Sequence, residues 1–171
     1  LQYAQLLHEA EENERALEAV DSCLNLDRQI GEAWALRAVL LSVKHGREKE
    51  ALKAATHAVA LDCGGAQLII LKADLLAESG DVMAAETSLE KAIEKHPLDA
   101  ELRSIVASRR LAEGRIEVAQ SLLDGTPPAI DHPELHIVEG RLHLARADRQ
   151  RDGTGETDQL LLGSAIQSFQ A

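Results

Sequence analysis

Aromatic side chains are scarce in this sequence of 171 residues, in which Trp, Tyr and Phe together account for only 2% of positions. Hydrophobic residues nevertheless reach 45%, so the interior must be filled mainly by alanine and leucine. Both are strong helix formers, whereas β-sheets favour aromatic and β-branched residues. The composition therefore predicts an all-α fold, and the length suits one ordinary domain with a hydrophobic core.

Cysteine and basic charge are also scarce. Cys23 and Cys63 are the two cysteines, and they lack the spacing of metal ligands, so the sequence suggests neither a disulfide framework nor a zinc knuckle. The sequence has 29 acidic against 18 basic residues, giving a formal net charge of -11. Because this charge repels a phosphate backbone, we expect no nucleic-acid partner.

Long apolar runs are missing too. The longest obvious one covers residues 68–71, far short of the roughly 18 apolar residues that a membrane-spanning helix needs. We therefore expect no membrane span. Two unpaired cysteines are compatible with a reducing compartment such as the cytoplasm, but the sequence leaves the localisation open.

A recurring pair of apolar positions is the main feature that the sequence does contain. An alanine is followed four residues later by another apolar residue at Ala16/Val20, Ala51/Ala55, Ala85/Leu89, Ala119/Leu123 and Ala165/Phe169. The first residues of these pairs lie 35, 34, 34 and 46 positions apart. A fixed period of this length indicates helical hairpins that stack on one another. The longer last interval predicts an inserted loop near residues 148–158.

Glycines keep the same register. Gly46, Gly80 and Gly114 each stand five residues before the repeated alanine, where a helical hairpin reverses direction, and Glu11 takes this place in the first unit. Asp81 is expected to cap the helix that follows it. The predicted first helices are 1–10, 33–45, 66–79, 99–113 and 133–147, and the second helices are 13–27, 48–62, 82–95, 116–124 and 159–171.

These columns resemble the tetratricopeptide repeat (TPR), a unit of about 34 residues with a small residue and a spaced aromatic in its second helix. The segment 165–169 matches that element, and the most complete unit is 66–99, with Ala85 as the small residue and Pro97 at its close. The resemblance implies a single all-α domain, a right-handed superhelix of antiparallel helix pairs. Its five repeats are expected near 1–30, 31–65, 66–99, 100–131 and 132–171.

The fifth repeat allows two registers. If Gly140 is its close-packing residue, His136, Glu139 and His143 fall at positions that are usually buried. A shift by one residue buries a different set of side chains, namely Leu135, Val138 and Leu142, but places Glu139 in the small-residue column. The sequence leaves both registers open.

The resemblance also implies where a partner binds. In such proteins the first helices line a concave groove that takes extended peptides or helices of other proteins. Transferred to this sequence, the groove residues are Leu36, Arg37, Leu40, Lys44, Gln67, Ile70, Leu71, Asp74, Glu78, Glu101, Ser104, Ile105 and Ser108. This mixed, partly apolar set favours an amphipathic helix or an extended peptide as the ligand.

Other chemistry receives little support from the sequence. His136, Glu139 and His143 follow at intervals of three and four residues, so one helix face could present them to a metal ion, although a solvated face is the commoner meaning of such a pattern. No cofactor and no catalytic residue is predicted. The sequence favours a non-catalytic protein-interaction scaffold whose repeats continue beyond both ends. The alternatives are a recognition arm of a larger enzyme, such as a transferase, and a self-assembling repeat.

Overall fold

Ten α-helices and no β-strand make up the regular structure of the residues that the computed structural model describes, which are 1–126, 132–154 and 159–170. The helices are α1 (Gln2–Glu9), α2 (Asn13–Leu26), α3 (Gly31–Ser42), α4 (Glu48–Ala60), α5 (Gly65–Glu78), α6 (Val82–Lys95), α7 (Ala100–Ala112), α8 (Ile116–Asp124), α9 (Pro133–Thr154) and α10 (Gln159–Gln170). The all-α prediction is confirmed. Within the described ranges, none of these helices has the length and apolar character needed to cross a membrane.

Helix starts follow the capping residues in the sequence. The Asp81 carboxylate accepts a hydrogen bond from the backbone N–H of Ala84 at 3.0 Å, as predicted for the start of α6. Asp99 accepts one from the backbone N–H of Leu102 at 2.9 Å at the start of α7. Each bond satisfies an N–H group that the first turn of a helix leaves without a partner.

The helices form two compact units, residues 1–92 and 93–171. In the first unit α1 packs on α2, α2 on α3, α3 on α4, and α4 on α5. In the second unit α7 packs on α8, both of them pack on α9, and α9 pairs with α10. Each unit is therefore built from helical hairpins that contact their neighbours in sequence, as in stacked repeats.

The repeated alanines lie in the core, as predicted. Ala16, Ala51 and Ala119 are 0% exposed, Ala165 is 1% exposed and Ala85 is 6% exposed. A small side chain at these positions lets two helix axes approach closely. Larger apolar residues fill the space around them, and the largest fully buried ones are Val20, Leu40, Leu41, Leu89, Leu102, Val106 and Leu142.

The start of the predicted insertion is helical. α9 ends at Thr154, so residues 148–154 extend the helix that was expected to end at 147, while residues 155–158 lie outside the described part of the chain. The sequence from Asp148 to Asp152 contains Arg and Gln, which favour helices. Arg149 also forms an ion pair with Glu117 on α8, which ties this extension to the preceding hairpin.

Two faces of α9 are packed. Leu135, Val138 and Leu142 are at most 4% exposed and belong to the core shared with α7 and α8. Gly140 lies against α10, where a Cβ atom added to it would stand only 2.6 Å from Cε1 of Phe169. Both registers left open by the sequence are thus partly right, because α7 and α8 cover one face of α9 while α10 covers another.

Candidate partner-binding groove

The predicted groove residues on α3 mostly contact other helices of the first unit. Leu40 is 0% exposed and belongs to the hydrophobic core, so its assignment to an exposed groove is wrong. Arg37 Nε donates a hydrogen bond to Asp21 Oδ1 at 2.7 Å, and Lys44 Nζ lies 2.6 Å from Glu14 Oε1. Because α2 and α4 both pack on α3, these side chains meet neighbouring helices rather than a free surface.

The predicted residues on α5 keep more contact with solvent. Leu71 and the α3 residue Leu36 are partly buried against the core of the first unit, which limits what either can offer to a partner. The half-buried residues of the set are Leu36, Ile70, Leu71 and Asp74, and the exposed ones are Gln67 and Glu78. This face therefore presents mainly polar groups.

In the second unit the structure brings predicted residues into a defined groove between α7 and α9. Its lining consists of Ser104, Ile105, Ser108, Glu134, Ile137, Val138 and Arg141, around a volume of about 280 Å³. We call this set the α7/α9 groove. Three of its residues were predicted, whereas Glu101 lies on the exposed side of α7 and does not line it.

The α9 side of the groove was missed by the sequence analysis. Its residues 134, 137, 138 and 141 lie 33 positions after 101, 104, 105 and 108, the four positions predicted on α7. Choosing Gly140 as the close-packing residue, equivalent to Ala107, would have found them. Because the sequence left the register of the fifth repeat open, it did not predict the α9 wall of the groove.

The two ends of the groove carry opposite charges. The Ser104 hydroxyl lies 3.1 Å from Glu134 Oε2 and 2.9 Å from the Glu101 carbonyl oxygen, so its single proton is donated to one of them. Glu134 therefore lies beside α7. Arg141 follows Glu134 by seven residues on the same helix face, a distance of about 10 Å along the axis. A ligand lying along α9 thus meets a carboxylate first and a guanidinium second.

Apolar side chains lie between these charges. Val138 is 3% exposed and forms part of the floor, whereas Ile137 is 41% exposed and Ile105 is half-buried. Exposed β-branched side chains lose little conformational freedom when a partner covers them. The groove can therefore accept an apolar anchor from a ligand.

A buried arginine holds the start of α7 in place. Arg103 is 6% exposed, and its guanidinium donates hydrogen bonds to the carbonyl oxygens of Leu122 at 2.9 Å and Pro97 at 3.1 Å. Burial lowers the pKa of Arg103 from its ordinary value, yet a guanidinium stays protonated in proteins. Because Leu122 lies on α8, this side chain links the two helices of the hairpin that bears one wall of the groove.

The histidine pattern on α9 does not produce a metal site in the described residues. His136 Nδ1 lies 3.4 Å from Glu139 Oε2, while His143 is half-buried with its Nδ1 lacking a hydrogen-bond partner. Within the ranges that the structure describes, no three His, Cys, Asp or Glu side chains come close enough together to bind a metal ion. His136 and His143 instead line a cavity of about 350 Å³ beside α10.

Solved structures with similar folds come from helical-repeat proteins. YrrB, a TPR protein with an unusual peptide-binding site, gives a TM-score of 0.60 at 23% identity, and the match covers 98% of this chain and 84% of YrrB. MamA gives 0.64 at 17% identity, covering 98% and 90%. The human IFIT1 dimer with m7Gppp-AAAA gives 0.56 at 20% identity, covering 92% of this chain but 37% of IFIT1. No protein-family model and no curated protein matches the sequence.

Proposed function

Because the chain has the fold of a tetratricopeptide-repeat protein, we propose that it is a protein-interaction scaffold whose α7/α9 groove binds a short segment of a partner protein. The proposal rests on the order of side chains along the groove. An acidic residue, Glu134, is followed by the apolar Ile105 and Ile137 and then by the basic Arg141. Helical-repeat proteins use the surfaces that successive repeats form together. The similar fold of YrrB, a TPR protein with a peptide-binding site, supports a peptide as the ligand class.

The groove defines the ligand that fits it. A basic group would face Glu134, an apolar side chain would cover Ile105 and Ile137, and an acidic group would face Arg141. The span of about 10 Å corresponds to roughly three residues of an extended peptide or two turns of a helix. Opposite charges at the two ends fix the direction in which either ligand lies.

The proposed scaffold is non-catalytic. Ser104 and Glu134 are the pair in the groove that most resembles a nucleophile with its base. The Ser104 side chain, however, is 3% exposed and already contacts two oxygen atoms, so a substrate cannot reach its hydroxyl. The polar groups of the groove are therefore assigned to recognition.

A peptide is favoured over a nucleic acid. One IFIT1 structure contains m7Gppp-AAAA, but the match covers only 37% of IFIT1, against 84% of YrrB. The net charge of -11 opposes a polyanion, and within the α7/α9 groove Arg141 is balanced by Glu134. We therefore expect no binding of m7Gppp-AAAA at physiological ionic strength.

A second candidate function is self-association. Exposed apolar residues lie on α1, where Tyr3 and Leu6 are 58% and 63% exposed, and on α10, where Ile166 and Phe169 are 59% and 47% exposed. Apolar patches of this kind are commonly covered by another chain. Light scattering decides this candidate, because a mass that stays monomeric from low to high micromolar concentration contradicts it.

The groove is tested by selecting peptides on the protein and measuring their affinity by calorimetry. We expect the selected peptides to share the order basic, apolar, acidic. Ile137→Asp places a charge among the apolar side chains and should weaken binding at least about tenfold, or about 1.4 kcal/mol. Arg141→Glu should reject these peptides and accept versions whose acidic residue is replaced by lysine.

Ile166→Asp is the matched control, because it makes the same change at an exposed site on α10 outside the groove. It should leave the peptide affinity within about twofold, and circular dichroism should show equal helicity for all variants. If the Ile137→Asp and Ile166→Asp variants both bind the peptides with native affinity, the peptides bind outside the α7/α9 groove. Loss of binding in both, with helicity retained, would point to non-specific apolar contact.

A further inference from the structure

The second cavity of interest lies in the first unit and is distinct from the α7/α9 groove. It has a volume of about 560 Å³ and is formed by residues of α2, α3, α4 and the turn between α2 and α3. Its lining consists of Asp21, Leu24, Asn25, Arg28, Trp34, Arg37, Glu50, Lys53 and His57. We call it the Trp34 pocket. Its size is in the range of pockets that hold compact ligands.

The aromatic wall of this pocket is held in a fixed position. The Trp34 indole N–H donates a hydrogen bond to the Arg28 carbonyl oxygen at 2.8 Å. The ring centroids of Trp34 and His57 lie 4.6 Å apart, with the planes inclined at 32°. Leu24 is 5% exposed and forms an apolar base beside them. A ligand side chain therefore meets a preformed apolar surface, which lowers the entropy cost of binding.

The acidic residues of the pocket are already neutralised. Arg37 Nε lies 2.7 Å from Asp21 Oδ1, and Arg37 Nη2 lies 3.8 Å from Glu50 Oε2. Arg47 binds the Glu50 carboxylate with both ends of its guanidinium, at 3.0 and 2.7 Å. Two carboxylates thus face two guanidinium groups, and this network has no surplus charge to offer a ligand.

Arg28 and Lys53 supply the remaining charge of the pocket. Both are exposed, and in the part of the chain that the structure describes neither side chain lies within ion-pair distance of a carboxylate, although Lys53 is near enough to Glu50 to help lower the pKa of that carboxyl. The pocket is therefore locally positive in a chain whose net charge is -11. A surplus of two cations beside an apolar wall favours a ligand with carboxylates flanking an apolar side chain.

From this combination we infer that the Trp34 pocket is a second binding site and that it takes a short acidic peptide segment of a partner protein. The acidic side chains pair with Arg28 and Lys53, and an apolar side chain between them covers Trp34. A peptide suits the geometry because eight of the nine lining residues remain at least partly exposed, so the pocket is open and holds one segment of a larger molecule. A long nucleic acid is opposed by the charge of the whole chain.

The pocket contains its own reporter, since Trp34 is the single tryptophan of the chain. The probe is an acetylated and amidated pentapeptide with two glutamates on each side of a leucine, titrated into the full chain while Trp34 emission is recorded. We expect a saturable emission change, and none with the peptide in which glutamine replaces every glutamate. The Arg28→Gln, Lys53→Gln double variant should bind the acidic peptide about tenfold more weakly, because two ion pairs are lost.

Lys49→Gln is the matched control, because Lys49 is an exposed lysine on the same helix and does not line the pocket. It should bind as the native chain does, and so should the groove variant Ile137→Asp, which makes this result independent of the proposed function. The inference is overturned if emission does not change saturably up to about 10 mM peptide, a concentration that corresponds to a very weak site. It is also overturned if Lys49→Gln weakens binding as much as the Arg28→Gln, Lys53→Gln double variant does, or if inorganic phosphate gives the same change.

Discussion

At the scale of single residues, one backbone angle shows how closely the first repeat follows the others. Gly46, Gly80 and Gly114 adopt φ values of 84°, 90° and 73° at the turns between paired helices. Glu11 takes the same place in the first hairpin and adopts a φ of 61°. A left-handed backbone is strained for a residue with a Cβ atom but not for glycine. The fold therefore imposes the turn on Glu11 despite the strain.

Glu11→Gly is expected to stabilise the chain. The substitution removes the left-handed strain of about 1 kcal/mol, part of which is offset by the greater freedom of glycine in the unfolded chain. We expect the free energy of unfolding to rise by about 0.5 kcal/mol. Urea denaturation followed by circular dichroism measures the change.

Gly80→Ala provides the reverse test at the equivalent turn. A Cβ atom at Gly80 meets nothing within 4 Å, so its cost reports backbone strain alone. This variant should lose about 1 kcal/mol. A destabilised Glu11→Gly variant together with a neutral Gly80→Ala variant would show that the backbone angle is not the cause.

At the scale of helices, the pairing of α9 with α10 depends on one close approach. A Cβ atom at Gly140 would lie 2.6 to 2.9 Å from three ring atoms of Phe169, which is too close for any real contact. Gly163 on α10 has nothing within 4 Å of the same added atom. Both glycines therefore lie within helices, but only Gly140 lacks room for a Cβ atom.

Alanine at these two positions should have opposite effects. Gly140→Ala forces the Phe169 ring away and should lower the free energy of unfolding by about 1 to 2 kcal/mol. Gly163→Ala should raise it by about 0.5 to 1 kcal/mol, because alanine favours a helix more than glycine does. In a double-mutant cycle, Phe169→Ala should suppress most of the Gly140→Ala penalty. Additive effects would contradict the proposed clash.

Repetition explains which helices could be predicted. The bounds of α8 agree with the predicted 116–124, because its alanine column and the preceding Gly114 have equivalents in other repeats, and Gly125 follows its last residue. The end of α9 could not be placed in this way. Its extension is stabilised by contact between Arg149 and Glu117, two residues that are distant in sequence and have no counterpart in earlier hairpins.

The candidate sites were less predictable because a helix face can be covered in several ways. Sequence position placed Arg37 and Leu40 on one surface of α3, but packing by α2 and α4 turns Arg37 toward the Trp34 pocket and buries Leu40. Ser104, Ile105 and Ser108 line the α7/α9 groove, but its other wall depended on the register of α9. Periodicity identifies a face, whereas only the packing shows what covers it.

At the scale of the whole molecule, two electrostatic effects respond to acid in opposite ways. Protonation of all seven histidines would change the formal charge from -11 to -4 and relieve repulsion. Particular carboxylates, in contrast, have a pKa below the ordinary 4.5 in the folded chain, that of Glu14 because of Lys44 and that of Glu50 because of Arg47. Hydrogen bonding by the Gly46 backbone N–H similarly lowers the pKa of Glu48.

Stability should therefore hold from neutral pH down to the ordinary carboxyl pKa of 4.5 and should fall in stronger acid. A carboxylate with a lowered folded pKa stabilises the protein above its unfolded pKa, and the contribution is lost as the pH falls through the lower folded value. The loss should begin below pH 4.5, the ordinary value of these groups. Denaturation midpoints measured between pH 7 and 3 test this profile.

Glu50→Gln separates specific ion pairs from general charge. It should flatten the decline below pH 4.5, since the group that titrates against Arg47 is gone. Glu9→Gln, at an exposed position on α1, changes the net charge equally and should keep the native slope. Identical profiles of the two variants would assign the acid sensitivity to net charge alone.

The contact of Gly140 with Phe169 also limits how the last hairpin can be exchanged. Repeat modules are often grafted between scaffolds or replaced by averaged sequences, on the assumption that each position can be chosen separately. Here the missing side chain on α9 and the ring on α10 fit each other, so a graft that transfers only one of them creates a clash or a void. Gly140 and Phe169 must therefore be transferred together when this hairpin is grafted.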